Sequence, residues 1–162
     1  ERALAIRERV LGPEHPDTGM SVGNLAGVYE GLGEYSKAVP LRERALKIHL
    51  GAFGENHPTT ATSLNNLGFL LQAMGDLAGA RPYYERALAI RERVLGPEHP
   101  DTASSLNNLG VLCYYEGEMA AAAGYMRRAL AIWEKVLGPN HPNTRSARDN
   151  LAAIRGRMKD EG

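Results

Sequence analysis

One cysteine, Cys113, is all the chain has among its 162 residues, so neither an internal disulfide nor a cysteine-based zinc site is open to it. An unpaired thiol suits a reducing, cytoplasmic interior. Net charge is missing too: 19 Lys plus Arg balance 19 Asp plus Glu, which removes any global pull toward nucleic acid or anionic lipid. No apolar run approaches the roughly 18 residues that a membrane span needs. Nor is a signal peptide expected, because the chain opens on the charged, helical ERALAIRERV. That opening matches the middle of a later helix, so we expect a fragment of a longer protein. Nucleophile elbow, phosphate loop, metal-helix motif and dinucleotide fingerprint are all absent. An enzyme is not expected, and no cofactor or metal is assigned.

What is present is ordinary material in an unusual order. Hydrophobic residues at 43% and charged residues at 23% fit a folded, soluble domain. The segment ERALAIRERVLGPEHPDT at Glu1–Thr18 recurs unchanged at Glu85–Thr102. Looser copies end at Thr60 and Thr144. His15, His57, His99 and His141 fall 42 residues apart, as do the prolines that follow them and the series Gly12, Gly54, Gly96 and Gly138. Several landmarks in one constant register make a true internal repeat.

Each period reads as two helices. After Pro58, Thr59 or Thr60 is expected to cap the first, whose apolar face is Leu64, Leu67, Leu71 and Met74. Gly75-Asp76 breaks the chain. A second helix follows from about Leu77, burying Ala80, Tyr84, Ala87, Leu88 and Val94, and Gly96-Pro97 stops it. Pro40 and Pro82 lie near the starts of second helices, where a missing N–H costs least and a slight kink is expected. Small residues recur at Ala26, Gly68, Gly110 and Ala152 on first helices and at Ala38, Ala80 and Ala122 on second helices. They let helix axes approach closely, giving antiparallel hairpins that must stack to bury both faces.

The order NNLG-x₆-G-x₄-A-x₃-Y-x₂-A from Asn65 to Ala87 resembles a tetratricopeptide repeat. The 42-residue period with RALAI and LGPEHPDT is similar to the longer repeats of kinesin light chains and of bacterial arrays. The resemblance implies an all-α, right-handed α-solenoid of stacked antiparallel hairpins with about eight helices. Its parts would be a half-repeat at 1–11, repeats at 17–53, 59–95 and 101–137, and a half-repeat at 143–157, with MKDEG frayed. Cys113 and Arg155, where leucine or an aromatic is usual, and Arg42, where Tyr84 sits, depart from the pattern. Cys113 reads as a small core residue.

The histidines invite a metal reading, but equivalent atoms in stacked repeats lie at least roughly 8–10 Å apart. Zinc needs its nitrogens about 2.0–2.1 Å from one centre. Each imidazole is therefore expected to bond local backbone in its loop. In the resembled family the first helices line a concave groove, which places Asn24, Asn66 and Asn108, together with Asn65 and Asn107, at or near it. An amide donates and accepts at once, so it suits the backbone of an extended peptide. Asn66 and its equivalents serve equally as ties between helices, whereas Asn65 and Asn107 favour ligand contact. Phe69, Val111, Gln72, Tyr114 and Tyr115 vary between copies as a specificity surface would, and the groove lacks a Lys/Arg ladder. The alternating charges of Arg7, Glu8 and Arg9 and of Arg91, Glu92 and Arg93 read as solvated faces, not a nucleic-acid footprint.

The reading is a non-catalytic scaffold that holds a peptide or protein segment in its groove. The alternative is head-to-tail self-association, in which the last helix of one copy meets the first helix of the next and completes a hairpin. That alternative expects apolar faces on both terminal helices. Neither nucleic acid nor membrane is expected as a partner.

Overall fold

The computed structural model describes residues 2–160. Glu1, where the sequence starts its first helix, lies outside the described residues, as do Glu161 and Gly162 of the tail read as frayed. Eight helices and no strand make up the rest: α1 (Arg2–Leu11), α2 (Pro16–Gly31), α3 (Tyr35–Phe53), α4 (Pro58–Ala73), α5 (Leu77–Val94), α6 (Pro100–Tyr115), α7 (Met119–Leu137) and α8 (Pro142–Asp160). The fold is an all-α solenoid of antiparallel helix hairpins. Instead of fraying after Arg157, α8 continues through Met158 and Lys159 to Asp160.

The turns explain why the helices stop where they do. Among the described residues every positive-φ residue is a glycine, and these fall at 12, 33, 54, 75, 96, 117 and 138, each 21 after the last. Two turn types alternate. At Gly33, Gly75 and Gly117 the glycine N–H returns to the carbonyl three residues back and the next N–H to the carbonyl five back, as in Glu34 to Tyr29 at 2.8 Å. These close the hairpins. Between hairpins, Gly54 (φ 79°, ψ −179°) and Gly138 (φ 86°, ψ 166°) adopt an extended positive-φ backbone that only glycine occupies at low cost.

The loop that follows is a cassette. His15, His57, His99 and His141 each accept through Nδ1 from the backbone N–H two residues on, at 3.1–3.2 Å. The expected threonine caps are thus corrected: histidine holds the N-cap of α2, α4 and α6, and proline takes the first helical position, where no N–H is missed. The threonine works backward instead. Thr18, Thr60 and Thr102 donate to the carbonyls of Gly12, Gly54 and Gly96 at 2.8 Å, tying each new helix to the end of the old one. In the fourth copy the buried Thr144 hydroxyl lacks this partner.

Prolines 40 and 82 also need correction. Ala38 N–H already bonds Glu34 O and Ala80 N–H already bonds Asp76 O, so each proline, two residues later, sits past the free N–H positions. Each removes one bond of the helix ladder.

The chain forms two compact units that divide inside α5, between Tyr83 and Tyr84. In the first, α2 packs on α3, α3 on α4 and α1 on α2. Val22, Ala45 and Ile48 form one part of its core, and Ala26, Ala38 and Leu70 another. In the second, α7 packs between α6 and α8. A Cβ on Gly110 would lie 3.4 Å from the Ala122 carbonyl, so the small residues do set a close crossing there. Ala152 is the exception, exposed on α8.

The buried stripes differ in detail from the sequence reading. Of the apolar face expected on α4, Leu64 and Leu67 are buried, Leu71 is half-buried with Leu70 buried in its place, and Met74 is 47% exposed. On α5 Ala80, Tyr84, Ala87 and Leu88 are buried as expected, but Val94 is exposed and Ile90 and Arg91 are buried instead. Both misses lie at helix ends, where the stripe drifts off the packed face.

Candidate functional site

The first helices carry two clefts, one in each unit, which share the equivalent positions 42/126 and 66/150 and differ in chemistry. In the first unit, α2 and α4 flank a space of about 440 Å³ with α3 as its floor. Asn24 and Asn66 line it from the two walls and Arg42 and His49 from the floor, with Arg7 of α1 at one side. No carboxylate lines it. In the second unit, α6 and α8 flank a smaller space of about 150 Å³. Its lining is Val111, Tyr114, Tyr115, Met126, Asn150, Ala153 and Ile154, so it is chiefly apolar. Arg157 lies over the Tyr114 ring at 5.3 Å and stiffens that wall.

The difference comes from two positions that change between copies. Residue 30 on α2 corresponds to 114 on α6, and residue 42 on α3 to 126 on α7. In the first hairpin these are Glu30 and Arg42, joined by two parallel bonds, Nε to Oε1 at 2.6 Å and Nη2 to Oε2 at 3.0 Å. In the third they are Tyr114 and Met126, which line the apolar cleft together. Arg42 thus lines the first cleft with its partner Glu30 outside the lining, whereas Tyr114 and Met126 both line the second.

His49 is the second floor residue the sequence did not single out. It is 5% exposed, and its Nδ1 lies 2.7 Å from Ser63 Oγ, while Nε2 is buried without a partner. Burial, the largest influence, lowers its pKa; the Pro16 backbone opposes this, and His57 adds to it. The same site in other copies holds Arg7 and Arg91, each donating to the start of the next helix. Arg91, buried and bonded to Asp101 O at 3.0 Å and Ser105 Oγ at 2.9 Å, is not part of a solvated face. Its desolvation lowers its pKa, and Asp101 offsets part of that. The legible signal was variation inside a constant frame: His/Arg/Trp at 49, 91 and 133 and Arg/Tyr/Met at 42, 84 and 126.

The sequence-derived candidates distribute unevenly. Asn24 and Asn66 share the first cleft, and Val111, Tyr114 and Tyr115 share the second. Phe69 lines neither and is 56% exposed. Asn65, Gln72 and Asn108 are engaged within the molecule and line neither cleft. Asn107 is half-buried, with its Oδ1 enclosed and unpartnered. Cys113 is fully buried. It lies near Glu116 and Glu118, their ligand atoms within 4.8 Å of one another, but each already interacts within the molecule. Among the described residues no helix is long and apolar enough to cross a membrane.

Stacked helix hairpins with small residues at their crossings, capped in a fixed cassette, define a helical-repeat protein. The tetratricopeptide repeat model matches residues 1–50, 20–92, 59–135 and 113–161, and the chain belongs to that family. Among solved structures it is similar to BtubC (BKLC) from P. vanneervenii, with a TM-score of 0.86 and 31% identity over 98% of this chain. The match spans 63% of the BtubC chain, less than two thirds of its length. A putative kinesin light chain from P. anserina, with nearly identical TPR-like repeats, gives a TM-score of 0.79 and 27% identity over 98% of this chain and 77% of that one. The apo form of RapI, at 18% identity, a TM-score of 0.82 and coverage of 98% of this chain and 57% of its own, shares the fold. Comparison with curated protein sequences finds no match.

Proposed function

We propose that the chain is a non-catalytic interaction scaffold that holds an extended peptide or protein segment against its first helices. The carrying observation is the cleft of about 440 Å³ in which Asn24 and Asn66, one repeat apart, face a common space. Each amide offers a donor and an acceptor, the pair a peptide backbone presents in every residue. Main-chain pairing of this kind supplies affinity without demanding one sequence, and the variable floor supplies selectivity.

A random dodecapeptide display library tests this. Enriched peptides are expected to bind the Asn24→Ala/Asn66→Ala double variant about tenfold more weakly, since each lost hydrogen bond costs about 0.5–1.5 kcal/mol. Unchanged affinity in the double variant removes the reading.

Head-to-tail assembly is the second reading, and the two ends treat it differently. α1 buries no residue and exposes Val10 at 68% and Ile6 at 47%, as that reading needs. α8 does not. Where Ala103, Leu106 and Cys113 are buried in α6, it carries exposed Arg145, Arg148 and Arg155. The expectation of apolar faces on both terminal helices is corrected for α8, whose one large exposed apolar residue is Met158. Arginines set against the exposed Ile6 and Val10 of α1 would lose water there without gaining a partner, which disfavours the contact.

A further inference from the structure

We infer that the joint between α3 and α4 is a proton-operated latch: neutral His49 holds the two walls of the first cleft in register, and protonating it loosens them and lowers affinity for a bound segment. The effect on a ligand rests on the peptide-binding reading above; the latch itself does not. In three of the four joints between hairpins, one register position ties the second helix to the first helix that follows. Arg7 donates to Asp17 O at 3.1 Å and Ser21 Oγ at 2.6 Å, and Arg91 to Asp101 O at 3.0 Å and Ser105 Oγ at 2.9 Å. A guanidinium stays charged at any working pH, so these two ties ignore protons. In the fourth joint Trp133 fills the position, with Ala147 in place of the serine, and neither titrates. At α3–α4 the tie is His49, whose Nδ1 lies 2.7 Å from Ser63 Oγ, and imidazole is the side chain that titrates near neutral pH. The loop there also lacks a stiffening proline: Glu55 stands where the other loops have Pro13, Pro97 and Pro139.

The ring meets both walls. A Cβ on Gly19 of α2 would stand 2.7 Å from His49 Nε2, so glycine gives the ring its room; Ala61, Ala103 and Arg145 hold that register on the other first helices. Asn24 lies on the same wall as Gly19, and Asn66 on the same wall as Ser63. Ser63 has one hydroxyl hydrogen and directs it to Thr59 O at 3.2 Å. The 2.7 Å bond therefore takes its hydrogen from Nδ1, and the buried Nε2 keeps a lone pair without a partner. An added proton goes to Nε2 and creates a charged ring that is 5% exposed and unpartnered at that nitrogen. No carboxylate lines the space to offset it. α1 and α3 bring Arg7 and the Glu30-paired Arg42, the loop before α4 brings His57, and the lining residues of α2 and α4 are uncharged. Burial holds the pKa of the ring below its ordinary value, outweighing the Pro16 backbone, and His57 lowers it further. Loosening the joint hydrates the imidazolium and returns its pKa to about 6.5, so falling pH favours the loosened form.

The test uses the whole chain and compares about pH 7.5 with about pH 5.5, on either side of the ordinary histidine value. Amide hydrogen exchange, corrected for intrinsic rates, should show protection of residues 49–63 falling at least about fivefold at the lower pH. Residues 91–105, across the arginine-tied joint, should hold steady. His49→Arg copies the tie of the neighbouring joints, and His49→Gln keeps a neutral donor. In both variants the pH effect on residues 49–63 should vanish, and a thermal melt checks that each folds. Acetylated peptides enriched from the random dodecapeptide library and lacking His, Asp and Glu are then titrated at both pH values. The native protein should bind them at least about fivefold more weakly at the lower pH, and the ratio should fall to about one in His49→Arg. Protection that ignores pH, or that falls equally in both variants, overturns the latch. Lost protection with pH-independent peptide affinity overturns its coupling to the cleft. No enriched peptide at either pH removes the peptide reading, and the exchange data still decide the latch.

Discussion

Individual side chains in this repeat are used twice, once for local geometry and once for joining one helix to the next. The threonine of the loop cassette shows it best. Thr102 is buried and donates to Gly96 O at 2.8 Å, whereas Thr144 is equally buried with its hydroxyl unpartnered. Thr102→Val should therefore cost about 1 kcal/mol, while Thr144→Val should be neutral or slightly stabilising. Urea unfolding of the two variants side by side checks the contrast. His49 gives a pH signature. Burial lowers its pKa in the fold relative to about 6.5 in the unfolded chain, so the unfolded state takes up the proton first. The stability of the neutral ring is fully present above about pH 6.5 and is lost as pH falls below it toward the folded value. Melting temperature should drop over that window, and His49→Gln should flatten the slope.

At the scale of the helix, the second members of the hairpins carry an avoidable weakness. Positions 40, 82 and 124 are Pro, Pro and Gly, all past the first turn, where each disfavours helix for its own reason. In α7 the site is open: a Cβ on Gly124 would meet nothing within 4 Å. Gly124→Ala should thus raise stability by about 1 kcal/mol, measured as a shift in urea midpoint at constant m-value. Element types and order were legible because the period carries its own punctuation. Glycine every 21 residues and HP after every second one mark the ends regardless of what lies between. Caps were misread because threonine is the commoner N-cap and its donation back to a glycine carbonyl depends on a turn that sequence does not show. The site was half legible. Asn24 and Asn66 followed from register, but Arg42 looked like a departure from pattern, since its partner Glu30 lies twelve residues away on the preceding helix. Arg91 was misread for a related reason: its neighbours Glu92 and Arg93 suggest a charged surface, and only the tertiary partner Ser105 shows otherwise.

The whole molecule is a set of similar hairpins whose differences are concentrated in clefts and at the last helix. The arginine-bearing outer face of α8 predicts a monomer. Light scattering over a broad concentration series should give a constant mass, and a mass that climbs with concentration would restore the head-to-tail reading. Surface ion pairs such as Arg128–Glu92 at 2.6 Å and Arg148–Glu134 at 2.8 Å are exposed, and their removal is expected to change stability little.

The identity of Glu1–Thr18 with Glu85–Thr102 reaches beyond the folded state to the gene. Two stretches of coding sequence for the same peptide, in the same reading frame, are natural points for unequal crossing-over. An exchange there would excise 84 residues and leave the stretch Glu85–Gly162 unaltered. The break would fall beside the boundary at Tyr84, so the second unit and its apolar cleft would pass through whole while the arginine cleft was lost. The reciprocal product would carry the arginine cleft twice. The set of clefts in such an array can therefore change by copy number, without one codon being altered.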